Sequence, residues 1–148
     1  MLNKLLLWFE QNLSNAQDTS SEHTLKLATA VMFYELIRAD NQIQDAELTL
    51  LRQLLEEQFQ LPDEELDELM DSANKHAEES VDLVQFTRVI NDQCDLEQKQ
   101  QFIKRLWQLA YADQQLDGHE EHLIRKVADL IYVSHSDFIK AKLSVVPD

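Results

Sequence analysis

One glycine, Gly118, serves a chain of 148 residues, where average usage would supply about ten. Glycine enters positive φ at little cost, so a chain almost without it has little material for primed hairpin turns, β-bulges or phosphate-cradling loops. That scarcity argues against multi-turn β architectures and Gly-rich nucleotide folds, and it leaves helices. The length suits one domain that buries about two-thirds of its unfolded surface. With 44% hydrophobic and 28% charged residues, the composition is that of a globular chain.

The apolar residues recur at helical spacing throughout. Leu2, Leu5, Leu6, Phe9 and Leu13 form a first stripe, followed by a polar loop over 14–21. Ser21 is placed to cap a second helix reaching about Ala39, with Leu25, Ala28, Met32, Leu36 and Ala39 on one side. A third helix is predicted over about 45–58, and Pro62 suits the start of a fourth reaching about His76. Ser80 is placed to cap a fifth, over 81–92. Asp95 with Gln98 has capping-box form for a sixth, reaching Ala112. Asp117 with Glu120 repeats that form for a seventh ending near Ile131, and Ser134 with Asp137 resembles it for an eighth. The expectation is all-α: about eight short helices and no strand.

A shift of 73 residues aligns Tyr34–Phe59 with Trp107–Tyr132 without a gap, and seven of the twenty-six positions are identical. Leucines and alanines could repeat in any two helical hairpins. The polar identities are harder to obtain by chance: Asp40/Asp113, Gln42/Gln115, Glu47/Glu120 and Arg52/Arg125. Eight helices then divide into two four-helix, pseudo-symmetric repeats, about 1–76 and 80–143, within one domain spanning 1–148.

Charge narrows the partners. The net charge is −15, which argues against nucleic acid, since phosphate binding needs a basic face. From Glu56 to Glu97 the chain carries fourteen acidic and two basic residues. Such a block is a solvated face or a surface for a basic protein partner. The lone cysteine, Cys94, cannot form an internal disulfide, which fits a cytoplasmic setting. The apolar run Leu5–Phe9 is shorter than a signal h-region, and no 18-residue apolar stretch suggests a transmembrane segment.

The repeated acids define the candidate site. Asp40 and Asp113 fall near helix C-termini, where the dipole disfavours a carboxylate, and both repeats accept that cost. Glu47 and Glu120 fall in the first turn of the next helix. Two carboxylates per turn, from two related turns, form an oxygen-rich set suited to Ca²⁺ or Mg²⁺. The same glutamates also serve as third residues of capping boxes with Gln44 and Asp117, and the aspartates as acceptors in Asx turns. The spacing is not that of an EF-hand: seven residues separate acid and glutamate, and the obligatory glycine is missing. His119 and His122 lack HExxH spacing and make a poor zinc site. No nucleophile–base arrangement or phosphate loop emerges, so a non-enzymatic role is expected.

At these repeats the sequence resembles the tellurite-resistance protein B-like (TerB-like) family, in its uncharacterised bacterial branch. The likeness is carried by Arg38-Ala39-Asp40-Asn41-Gln42-Ile43 with Glu47, and by 110–117 with Glu120-Glu121-His122-Leu123-Ile124. Further support comes from 80–87 and from 128–138. The resemblance implies an all-helical, internally repeated, cytoplasmic bacterial domain without enzymatic activity. It also implies a divalent-metal site on Asp40, Glu47, Asp113 and Glu120, and a scaffold role linked to tellurite or wider chemical stress. The alternative is a metal-free interaction module that uses the acidic middle segment. Asn41 and Gln114 stand where the family often has glycine, and Gln44 where it often has aspartate.

Overall fold

The computed structural model describes residues 18–39, 43–78, 83–112 and 118–146. They form seven helices: α1 (Asp18–Ile37), α2 (Asp45–Phe59), α3 (Asp63–Glu78), α4 (Leu83–Gln93), α5 (Leu96–Ala110), α6 (Gly118–Leu130) and α7 (His135–Val145). No strand occurs among the described residues. The predicted helix over 2–13 lies outside them, as do the Ser80 and Asp117 caps.

α1 is the centre of the bundle. Every residue from Leu27 to Tyr34 is buried, and so are Leu36 and Ile37. The one-sided stripe read from the sequence therefore understates this helix. A helix buried all round belongs in the middle of a core, and α1 packs against α2, α3, α4, α5 and α6. Its start also differs from expectation: Ser21 lies inside a helix that already begins at Asp18, so it is not the cap.

The two repeats pack alike. α1 meets α2 and α3 as α5 meets α6 and α7, while α2 against α5 matches α6 against α1. The equivalent arginines behave correspondingly. Arg52 of α2 reaches Asp63 and Asp67 on α3, and Arg125 of α6 stands over the Phe138 ring of α7, 5.8 Å from its centroid. α4 joins the halves, lying on α1 and touching α6, where Asn91 Nδ2 donates to the Leu130 carbonyl at 3.0 Å.

Local chemistry sets several boundaries as the sequence predicts. Asp95 accepts from the Gln98 amide at 2.8 Å while Gln98 Oε1 accepts from the Asp95 amide at 2.9 Å, which starts α5. Ser134 Oγ accepts from the Asp137 amide at 3.1 Å, which starts α7. Glycine ends no helix. Gly118 instead opens α6 without a positive φ, and among the described residues the left-handed positions fall to Gln60 (φ 53°) and Tyr132 (φ 63°).

Tyr132 is 78% exposed, so little packing repays its backbone strain. The Lys99 ammonium stands 5.8 Å from the ring centroid. Tyr132→Gly is expected to stabilise the fold by up to about 1 kcal/mol, read as a rise in the urea midpoint at unchanged slope.

Candidate functional site

Of the four acids singled out by the repeat, the structure places two. Glu47 sits in the first turn of α2 and Glu120 in the first turn of α6, each 3% exposed. Among the described residues they are the only buried acids. Asp40 and Asp113 lie outside the described residues. Glu47 does what the capping argument predicts: its Oε1 accepts from the Gln44 amide at 2.9 Å. Ile43, beside it, is left 40% exposed at the rim of the turn.

The flanks of both turns share one cleft of about 510 Å³. Arg38 and Ala39, where α1 runs out toward the first turn, form one wall. His119, His122 and Lys126, on the helix that follows the second turn, form another. Leu83 and Val84 at the start of α4 close it. The fold thus brings chain leading into one turn beside chain leading out of the other. This follows from the packing of α1 against α6, which a single repeat does not contain.

The cleft also gathers cationic side chains in a strongly acidic chain. As site residues, sequence reasoning weighed the two histidines for zinc alone, took Arg38 only as part of the family likeness and passed over Lys126. Their signal was present: positions 119, 122 and 126 follow helical spacing on one face of α6. Among the described residues no group of three or more His, Cys, Asp or Glu side chains is arranged to hold a metal ion. The donor atoms on these flanks are the carboxylate oxygens of Glu47 and Glu120 in the turns and the imidazoles of His119 and His122 in the cleft.

Glu35 lines the same cleft, and burial pushes its carboxyl above the usual range while Arg38 opposes the shift. A carboxyl whose folded pKa exceeds its unfolded value weighs against the fold at neutral pH, and that penalty is relieved as pH falls through the folded value. Glu35→Gln is expected to raise the melting temperature at pH 7, with the gain vanishing toward pH 4. Elsewhere, burial pushes the Cys94 thiol up, which leaves it a poor nucleophile at neutral pH.

Residues 26–143 match the family described as tellurite resistance protein TerB. The chain belongs to the TerB family. The match covers α1 from its third turn through most of α7 and includes both aligned segments of the repeat, 34–59 and 107–132. No curated protein and no solved structure matches the chain. The all-helical fold is the one expected of a TerB domain. No described helix is long and apolar enough to cross a membrane.

Proposed function

We propose that this TerB domain is a non-enzymatic, cytoplasmic scaffold that binds a hard divalent cation at its paired acidic turns, with Asp40, Glu47, Asp113 and Glu120 as the protein ligands. One observation carries the reading: the repeat-related glutamates are the only acids buried among the described residues, and the flanks of both turns open on one cleft. Burying a carboxylate costs several kcal/mol unless a charge or hydrogen bonds compensate it. Glu47 already accepts from the Gln44 amide; a bound Ca²⁺ or Mg²⁺ would add compensating charge and would tie the two repeats together through their turns. Binding would then stabilise the folded domain by mass action, which is how a cation could tune a scaffold in a stress response.

The test is a calorimetric titration of the full chain with Ca²⁺, Mg²⁺, Mn²⁺ and Zn²⁺ at physiological salt. Saturable binding of a hard cation, with a matching rise in melting temperature, is expected. Absence of saturable binding by all four rejects the reading.

A second reading rests on a different observation. Asp63, Glu64, Glu65, Asp67, Glu68 and Asp71 of α3 are all exposed. Only Arg52 and Lys75 pair with this row among the described residues. Such a face suits a basic protein partner, steered by charge and weakened by salt. Capture that survives a rise from low to moderate salt, or reversal of Glu64, Glu65 and Glu68 to lysine, rejects it.

A further inference from the structure

A second cleft, of about 300 Å³, lies between the first half of α1, the end of α2 and the first half of α5. It is about 15 Å back along α1 from the cleft beside the turns. That volume is at the lower end for small-ligand sites. Arg105 lines it half-buried, with no hydrogen bond or ion pair among the described residues. Glu57 acts on Arg105 through charge without a hydrogen bond to it, and accepts from Gln53 Nε2 at 3.2 Å. Gln58, on the facing helix, also lines the cleft, and its Oε1 is closed off from solvent with no hydrogen-bond partner among the described residues. Leu25, Ile90 and Phe102 supply an apolar floor.

These groups leave two capacities unmet. A guanidinium presents its N–H groups as a planar fork that matches a carboxylate, and a partly desolvated one gains more from that pairing than an exposed one does. A buried amide oxygen without a donor carries a desolvation cost that an incoming N–H would remove. Glu97 also lines the cleft and disfavours a ligand of high negative charge such as phosphate. We propose that this cleft binds a small zwitterion of amino-acid size, its carboxylate held by Arg105, its ammonium accepted by Gln58 Oε1 after that half-buried side chain turns toward the cleft, and its apolar side chain on Leu25, Ile90 and Phe102.

The full chain, labelled with nitrogen-15, is titrated with four probes. L-leucine carries all three features, isocaproate lacks the ammonium, isoamylamine lacks the carboxylate, and inorganic phosphate carries charge alone. L-leucine is expected to give saturable shifts at the Arg105 and Gln58 side chains. The two truncated probes are expected to bind at least about tenfold more weakly, roughly the loss of one charge-assisted hydrogen bond. Arg105→Gln should abolish saturation by L-leucine while the amide spectrum keeps its dispersion, and Gln58→Leu should weaken it. If Arg105→Gln does not fold, Gln58→Leu decides alone. The proposal is overturned if L-leucine gives no saturable shifts, if isocaproate binds equally well, if phosphate binds more tightly, or if the variants bind like the native chain.

Discussion

Trp107→Ala is expected to destabilise the domain by about 3–5 kcal/mol, a large part of the 5–15 kcal/mol a domain of this kind has to lose. Trp107 is fully buried on α5. Its ring lies 5.1 Å from Phe138 of α7 and 6.2 Å from Tyr111, centroid to centroid, and the Lys142 ammonium stands 5.3 Å from it. Truncation leaves a cavity at the packing of α5 on α7, where the second repeat is built. Trp107→Phe should cost far less, about 1 kcal/mol. It keeps most of the ring contacts and removes an indole Nε1 that is buried without a hydrogen-bond partner among the described residues. Urea unfolding followed by circular dichroism distinguishes the two. Equal losses for both variants would mean that the indole nitrogen contributes, against the geometry.

The second large effect is on cation binding. Asp40→Asn with Asp113→Asn is expected to lower hard-cation affinity by at least a hundredfold, since each charged oxygen ligand contributes strongly to a hard-cation site. Glu47→Gln with Glu120→Gln should do the same, with some loss of stability, because the Gln44 amide keeps an acceptor but loses a charged one. A third variant separates charge balance from ligation. Lys126 lines the cleft beside the turns, so Lys126→Ala should tighten cation binding by a few-fold, as expected for removing one partly screened charge. Calorimetry reads all three. Cation affinity unchanged in both double variants would dismiss these four residues as ligands.

Much of the fold was legible in the residues. The capping pairs Asp95/Gln98 and Ser134/Asp137 fix helix starts through hydrogen bonds no more than three residues apart, and short-range chemistry of that kind is written directly in sequence. The 73-residue repeat was legible because identities at a fixed shift are read from the chain itself, and its equivalent arginines reach equivalent helices. Ser21 misled because a serine after a polar loop reads as a cap, whereas the helix had already begun. α1 was read as one-sided because a 3.6-residue stripe reports one partner at a time. Five helices packed around it bury the other faces as well. At the candidate site, Glu47 and Glu120 could be found from the repeat, but their burial could not.

The sequence by itself determined an all-helical TerB chain, its 73-residue repeat, the helix starts at Asp95 and Ser134 and the identity of the paired acids, because periodicity and capping act over short spans and a repeat is read by comparing the chain with itself. Only the tertiary structure decided that α1 is central, that the flanks of the two turns share a cleft with Arg38 and Lys126, and that Arg105 faces a cleft with Gln58. Each of those depends on helices far apart in the chain being packed side by side. Burial and unmet hydrogen bonds exist only once that packing has removed the water.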